Sequence, residues 1–346
     1  MKTVSRPKIL LIYTGGTIGM IENPDTHTLE PFNFDHLIDN VPKIRMLDYD
    51  IDHIQFQSPI DSSTITPTHW RSIAEMIEER YNQYDGFVIL HGTDTMAYTA
   101  SALSFMLENL DKPVIITGSQ LPIGEVRTDG EENLITALQV AAARCSDGRP
   151  CIREVAILFE NYLWRGNRST KHSADHFNAF KSNNYPELAK IGLGIQFNVD
   201  ALWRKKPAGP LRVQKNMDPS VLSIDLFPGM KPEVLNYLLE APGVKGIVLR
   251  TYGAGNALID PWFINAIKKA SDSGKFIVNV TQCSNGSVRQ ERYLTGLHLQ
   301  NAGVISGHDL TIEAAVTKMM YLFGKDLPLE KVAEAFEKPI RGEMTL

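Results

Sequence analysis

The segment KILLIYTGGTIG, residues 8–19, joins a short apolar run to a turn of threonine and glycine. The apolar part is far shorter than the roughly 18 residues that a membrane span requires. It is also too short for the hydrophobic core of a signal peptide, and no small-residue cleavage site follows it. A continuous apolar run that ends in turn residues is typical of a strand buried on both faces of a parallel sheet. The segment therefore predicts a buried strand that carries Thr14 to one edge of a sheet.

Comparable apolar runs recur along the chain and alternate with helical patterns. The predicted strands are residues 8–13, 87–91, 113–117 and 154–160 in the first half, and 221–227, 246–251 and 276–281 in the second. Thr66 and Pro67 mark the start of one helix, and Asp129 with Glu132 has the spacing of a capping box before another at 134–142. Further helices are predicted near 231–241, 260–272, 311–323 and 329–338. This alternation predicts an α/β fold with parallel sheets.

The pattern breaks after about residue 191. Residues 203–220 are basic and interrupted by proline, which is typical of a linker. The sequence therefore predicts two α/β domains, a larger N-terminal one at 1–202 and a smaller C-terminal one at 221–346.

Composition narrows the possible partners and the compartment. The 346 residues carry a net charge of −5 without a basic block, so nothing favours binding to nucleic acid or to an anionic membrane surface. Cys145, Cys151 and Cys283 are odd in number and lack metal-site spacing. This usage favours a reducing compartment over a disulfide framework and predicts a cytoplasmic protein.

Polar residues follow several of the predicted strands. Ligands of open parallel sheets bind beyond the carboxyl ends of the strands, and there the chain has TGG at 14–16, HGTDT at 91–95 and GSQ at 118–120, with DSS at 61–63 before a helix. Each segment alone could be an ordinary turn; four at one edge favour a site. The turn at 14–19 does not match a nucleotide loop, and the chain has no G-x-S-x-G nucleophile elbow.

Lys171 lies in a polar segment just beyond the predicted strand at 154–160. A lysine in a water-poor site holds its proton less strongly and can act as a general base, although a surface lysine is the ordinary alternative. His172 and His176 are four residues apart, but the glutamate of an H-E-x-x-H motif is missing, so we predict no metal.

These motifs together resemble the bacterial-type L-asparaginase/glutaminase family, in particular its cytosolic type I branch. The resemblance rests on YTGGTIG at 13–19, LHGTDT at 90–95, RGNR at 165–168 leading to Lys171, and RTYG at 250–253 with TQC at 281–283. It implies an N-terminal domain that holds most of the site, no cofactor, free L-asparagine as the small-molecule substrate, and assembly as a homodimer or homotetramer.

The resemblance also implies roles for individual residues. Thr14 would be the nucleophile that forms a β-aspartyl ester, and a neutral Lys171 would relay a proton through Thr93 while Asp94 orients the group. Asp94 would pair with the substrate ammonium, and Ser62 with nearby amides would hold the α-carboxylate. The set of expected substrate-binding residues is Asp61, Ser62, Ser63, Thr93, Asp94 and Ser119.

Two further expectations concern the C-terminal domain. The segment 21–29 contains no tyrosine, whereas secreted members of the family place one there, so Tyr293 is the expected catalytic partner of the nucleophile. Arg250, Thr281 and Cys283 match a regulatory asparagine site of type I enzymes, in which Arg250 would pair with the effector carboxylate.

Two other functions are possible for a chain with these threonine and lysine motifs. The chain could be the amidase subunit of a tRNA-dependent amidotransferase, although its acidic balance and the lack of additional docking segments argue against this. It could also be an inactive amino-acid sensor, but Thr14, Thr93 and Lys171 are all present.

Overall fold

The computed structural model describes residues 6–22, 29–31, 41–292 and 294–346. The chain divides into two compact units, Met1–Lys215 and Asn216–Leu346. The division falls within the predicted linker at 203–220, and strand Arg212–Val213 of that segment pairs with Leu107–Glu108 in the first unit.

An eight-stranded sheet organises the first unit, in the order β13-β12-β9-β8-β7-β5-β1-β4. The strands from β8 to β4 in this order are parallel, whereas β9, β12 and β13 add antiparallel pairs at one side. The strands of this unit are β1 Lys8–Tyr13, β2 Met20–Glu22, β3 Leu29–Pro31, β4 Asp50–Gln55, β5 Gly86–Leu90, β6 Leu107–Glu108, β7 Val114–Thr117, β8 Val155–Phe159, β9 Tyr162–Arg165, β10 Thr170–Lys171, β11 Phe180–Lys181, β12 Ala189–Ile191, β13 Ile195–Phe197 and β14 Arg212–Val213.

Helices cover the sheet of the first unit: α1 Pro67–Arg80, α2 Met96–Met106 and α3 Gly130–Ala142. Helix α1 begins as the sequence predicts, with Thr66 as N-cap and Pro67 in the first turn. All residues of β5, β7 and β8 are buried, which explains their unbroken apolar sequences. Single turns of 3₁₀ helix lie at Thr17–Gly19, Pro42–Met46, Ser62–Thr64 and Gly166–Arg168.

The second unit has its own parallel sheet, in the order β15-β16-β17-β18. Its strands are β15 Val221–Asp225, β16 Gly246–Thr251, β17 Phe276–Thr281 and β18 Ile305–Ser306, and its helices are α4 Pro232–Leu239, α5 Pro261–Asp272, α6 Leu294–Asn301, α7 Ile312–Phe323 and α8 Leu329–Phe336, with a 3₁₀ turn at Gln290–Arg292. The two units each enclose a separate apolar core. The prediction of two α/β domains with parallel sheets, the N-terminal one larger, is confirmed.

The cysteines correct one expectation. Cys145 and Cys151 form a disulfide, whereas Cys283 is free and exposed. The pairing has a local cause, because Gly148 donates to the Cys145 carbonyl and Cys151 donates to the Ala143 carbonyl, and this tight turn brings the two Cα atoms within 5.0 Å. The two cysteines are six positions apart, and no spacing rule marks such a pair as a disulfide in the sequence alone.

In the part of the chain that the structure describes, no helix is long and apolar enough to cross a membrane.

Candidate active site

Parallel pairing places three loops side by side at the carboxyl edge of the first sheet. Tyr13 of β1 lies opposite Leu90 of β5, and Leu90 lies opposite Thr117 of β7. The segments that follow these three strands therefore start level with one another, as the sequence predicts.

Two glycines after β1 allow the loops to approach closely. Gly15 and Gly16 have φ of +130° and +92°, which side chains other than hydrogen rarely tolerate. A Cβ on Gly15 would overlap the backbone of Ile60, and one on Gly16 would overlap the backbone of Gly92. The two glycines of the TGG motif are thus required for close backbone packing between neighbouring loops.

Thr14 lies buried at the end of β1, with 2% of its surface exposed. Its Oγ1 donates to the Leu90 carbonyl over 2.8 Å, and its amide donates to the same carbonyl over 3.0 Å. Its own carbonyl accepts from the Ile60 amide over 2.8 Å. The backbone of Thr14 is therefore fixed between two loops, and only the hydroxyl is able to rotate toward a ligand.

Thr93, Asp94 and Lys171 form a contact cluster. The Lys171 Nζ donates to Thr93 Oγ1 over 2.9 Å and to Asp94 Oδ1 over 2.6 Å. The lysine side chain is 19% exposed and the carboxylate is 61% exposed. Strand β10 carries Lys171 and is held by antiparallel pairing with β11. The fold thus brings the Lys171 amine into contact with the Thr93 hydroxyl, although the two residues are 78 positions apart in sequence.

The 61–63 segment packs against the loop after β5. Asp61 is the N-cap of the 3₁₀ turn, and its carboxylate accepts from the Ser63 amide over 2.9 Å. Ser62 is buried at 4% exposure, and its carbonyl accepts from Thr95 Oγ1 over 2.6 Å. Ser63 is exposed. The Asp61 carboxylate is therefore occupied in shaping this turn.

Ser119 is buried near the start of the loop after β7, where its hydroxyl donates to the Leu121 carbonyl over 2.5 Å. Its neighbour Gln120, which has no predicted role, makes contacts on both sides of the site. The Gln120 side chain accepts from Thr93 Oγ1 over 3.3 Å and donates to the carbonyls of Ala174 and His176, each over 3.1 Å. Gln120 thereby links Thr93 to the segment after Lys171.

His91 has no predicted role in the sequence motif, and its side chain is completely buried in the structure. Its Nδ1 lies 2.6 Å from the Gly92 carbonyl, which can only accept, so Nδ1 carries the proton. Nε2 then accepts from Thr99 Oγ1 over 2.8 Å, and Thr99 accepts from Trp70 Nε1 over 3.0 Å. Burial lowers the pKa of His91 to about 4. A neutral His91 thus fixes the carbonyl that directly precedes Thr93.

Asp129 corrects a prediction about α3. It is the N-cap residue, but its side chain makes no cap hydrogen bond. The carboxylate instead accepts from the amides of Gln120 and Leu121 over 3.0–3.2 Å, and burial raises its pKa. The capping-box spacing predicts that the Asp129 side chain caps α3, but this side chain instead holds the loop after β7.

In the second unit, Arg250 and Thr281 lie near the carboxyl ends of β16 and β17. Arg250 Nη1 pairs with Asp225 Oδ1 over 2.7 Å, and Thr281 Oγ1 donates to the Gly253 carbonyl over 2.6 Å and accepts from the Cys283 amide over 3.0 Å. These residues share one sheet edge. Tyr293, the expected catalytic tyrosine, lies outside the described residues.

No group of three or more histidine, cysteine, aspartate or glutamate side chains suited to a metal ion occurs in the described ranges. The chemistry available at the first edge is that of hydroxyls, an amine and a carboxylate.

Comparisons with known proteins cover nearly the whole chain. A family model described as Asparaginase, N-terminal matches residues 8–203, and one described as Glutaminase/Asparaginase C-terminal domain matches residues 220–336. L-asparaginase 1 of Escherichia coli (strain K12) is 43% identical over 345 residues, which is 99% of each chain.

Solved structures agree with this match. The crystal structure of L-asparaginase I from Vibrio cholerae superposes with a TM-score of 0.90 at 42% identity, covering 99% of this chain and 100% of that one. A probable cytoplasmic L-asparaginase from Campylobacter jejuni gives a TM-score of 0.81 at 26% identity, covering 96% of this chain and 100% of that one.

Proposed function

The chain belongs to the asparaginase family, and from this premise we propose that its active site comprises Thr14 as nucleophile and the Thr93–Asp94–Lys171 cluster as proton relay. The protein is an L-asparaginase that hydrolyses L-asparagine to L-aspartate and ammonia. The observation that carries the proposed mechanism is the contact of Lys171 Nζ with both Thr93 Oγ1, at 2.9 Å, and Asp94 Oδ1, at 2.6 Å.

In the first step, Thr14 Oγ1 attacks the side-chain amide carbon of asparagine. The C–N bond breaks, the amide nitrogen leaves as ammonia after it takes up a proton, and a β-aspartyl ester remains on Thr14. In the second step, water attacks the ester carbon, restores the threonine hydroxyl and releases aspartate. An amide is a poor electrophile, so both steps need a base and stabilisation of the oxyanion.

Lys171 supplies the base when it is neutral, since a lone pair on Nζ can then accept a proton through Thr93 Oγ1. Gln120 orients that hydroxyl from the other side, at 3.3 Å. Buried His91 holds the Gly92 carbonyl and so keeps the Thr93 turn in place. These contacts support preorganisation, since none of them requires substrate to form.

The substrate has a charge at each end of its α-carbon, and both must be paired when water is displaced. Asp94 gives one oxygen to Lys171, and its other oxygen has no hydrogen-bond partner among the described residues, which leaves it for the substrate ammonium. Ser62 and neighbouring amides hold the α-carboxylate, while Asp61 keeps their turn folded. Ser63 and Ser119 line the pocket, and Tyr293 assists Thr14.

We extend the proposal to assembly, location and regulation. Membership of the asparaginase family supports assembly as a homodimer or homotetramer, which light scattering would measure. A cytoplasmic location is supported by the Campylobacter relative. A regulatory asparagine at Arg250, Thr281 and Cys283 would require Arg250 to exchange Asp225 for the effector carboxylate and would give sigmoidal kinetics.

The decisive test is ammonia release from L-asparagine by Thr14→Ala and Thr93→Ala. Each variant should lose at least about 10²-fold in kcat, because each removes a group required for proton transfer or attack. Thr68→Ala is the matched control, since this threonine is exposed on α1. Wild-type rates in both active-site variants would disprove the mechanism. Ammonia release that required tRNA or a partner would instead favour the amidotransferase alternative.

A further inference from the structure

A second cavity lies at the opposite, amino edge of the first sheet. Asp111 lies three residues before β7 and Arg153 lies two residues before β8, whereas Thr14 and Thr93 follow the carboxyl ends of their strands. The cavity has a volume of about 470 Å³. Its polar lining consists of Tyr81, Asn109, Asp111, Arg149, Arg153 and Lys206, and its apolar wall consists of Pro207, Gly209, Pro210 and Leu211.

Hydrogen bonds fix the walls of this cavity. The Asn109 side chain donates to the Pro210 carbonyl over 3.2 Å and accepts from the Ala208 amide over 3.3 Å. Strand β14 then pairs with β6 and holds the far end of the same segment. On the floor, the Asp111 amide donates to the Tyr81 hydroxyl over 2.9 Å. The cavity is therefore built by contacts between segments that are distant in sequence.

The side chains that line the cavity carry a net positive charge. Arg149, Arg153 and Lys206 face a single carboxylate, that of Asp111. Lys206 makes no ion pair within the described part of the chain, and Arg149 pairs over 3.5 Å with Asp147 of its own exposed turn. With Asp147 counted beside Asp111, three cations meet two carboxylates, so a net charge of about +1 remains around the cavity, by the ordinary protonation of these side chains.

Arg153 gives the strongest indication of a ligand. Its side chain is only 13% exposed, and its one contact with a described acceptor is Nη1 to Asp111 Oδ1, at 3.0 Å. A guanidinium has five N–H donors in a planar fork that suits two oxygens of a carboxylate or phosphate. A nearly buried guanidinium with unused donors beside an open cavity is the arrangement of an oxyanion site.

We propose that this cavity binds a small molecule that carries at least two anionic oxygens, either a phosphate ester or a dicarboxylate. Arg153 and Arg149 take the charged groups, Lys206 closes the open side, and Pro207, Pro210 and Leu211 contact the carbon skeleton. The volume falls within the range of about 300–1,000 Å³ typical of small-molecule sites. The site shares no residue with the asparagine-hydrolysing edge, so it does not depend on the proposed catalytic roles.

Calorimetric titration of the full chain with pyrophosphate, and separately with succinate, tests the proposal at ionic strength held constant with sodium chloride. Wild-type protein should bind one probe molecule per chain at this site. Lys206→Met and Arg149→Gln should each weaken that binding about tenfold, the loss expected for one charge-assisted contact. A preference for pyrophosphate identifies a phosphate ligand, and a preference for succinate identifies a dicarboxylate.

Lys231→Met is the matched control, because Lys231 is an exposed lysine of the second unit. Circular dichroism and thermal midpoints without ligand establish that the variants are folded. Thr14→Ala should keep the Lys206-sensitive binding, which separates this site from the catalytic one. Equal binding by wild type, Lys206→Met and Arg149→Gln, or no binding of either probe, would overturn the proposal.

Discussion

Two lysine–carboxylate pairs in this protein have the same length and very different surroundings. Lys171 pairs with Asp94 and Lys318 pairs with Glu343, each with 2.6 Å between nitrogen and oxygen. The first pair is 19% and 61% exposed at its two side chains, whereas both side chains of the second are fully buried. The distance alone therefore does not distinguish a site from a structural contact.

The partners of Lys318 are all internal. Besides Glu343, its ammonium donates to the carbonyls of Phe336 and Lys338, each over 2.7 Å, so its three protons are used. Burial lowers the pKa of Lys318, and Glu343 opposes that shift. Glu343 also accepts from the amides of Ile340 and Arg341. This pair fastens the C-terminal segment to α7.

Lys171, in contrast, has a hydroxyl as its second partner, and its carboxylate faces outward. A buried pair whose hydrogen-bond donors are all used can only stabilise the structure. An amine that contacts a hydroxyl, beside a carboxylate exposed to solvent, can exchange protons and bind a charged group of the substrate. Solvent exposure and the number of unused donors therefore distinguish the proposed catalytic pair from the structural pair. Substitution of each lysine should affect activity in the first case and stability in the second.

The largest effect should follow from Lys171→Met. Removing the proposed base should lower kcat by about 10²–10⁴-fold, while the thermal midpoint changes little because the partner that is left unpaired, Asp94, is 61% exposed to water. The measurement is steady-state ammonia release together with thermal unfolding. Lys181→Met is the matched control on the adjacent strand β11, where the lysine is exposed. If Lys171→Met were as active as Lys181→Met, Lys171 would not be the catalytic base, and the two lysine–carboxylate pairs would not differ in role.

Lys318→Met should have the opposite profile. It leaves Glu343 buried without its cation, so the free energy of unfolding should fall by about 3–5 kcal/mol. Urea unfolding measures this loss, and kcat of the remaining folded protein should stay close to wild type. Lys331→Met, at an exposed pair with Glu334, should leave the free energy of unfolding close to that of wild type. Equal stability of these two variants would contradict the structural role of Lys318.

A smaller effect concerns His91 and pH. Its pKa is about 4 in the folded chain and about 6.5 when unfolded, so the unfolded chain binds a proton that the native chain does not. This contribution to stability is complete above about pH 6.5 and is lost as the pH falls toward 4. Between pH 7 and 4.5 the loss is about 2–3 kcal/mol.

Unfolding measured across this pH range in wild type and His91→Gln isolates the contribution, because glutamine does not titrate. The variant should show the shallower acid dependence. His53→Gln, at an exposed histidine, should follow the wild-type curve. Identical acid dependence in wild type and His91→Gln would show that His91 is not held neutral.

The sequence predicted those elements whose pattern is local and strong. Strands β1, β16 and β17 agree with the predicted bounds, because each is mostly apolar and almost entirely buried. Strand β4 was missed, since its sequence DIDHIQ is polar and only partly buried. Helix α2 was not identified either: nearly all its residues are buried, so no polar face gives it a helical period.

The sequence by itself determined the two-domain α/β fold, the family and the chemical groups at the first sheet edge, because apolar runs and motif residues are written along the chain. Only the tertiary structure decided which groups meet: Lys171 with Thr93 across 78 residues, Thr99 with His91, and Asp129 with the loop after β7. Periodicity and propensity describe neighbours in sequence, whereas these contacts depend on strand order and on loops that glycine allows to approach.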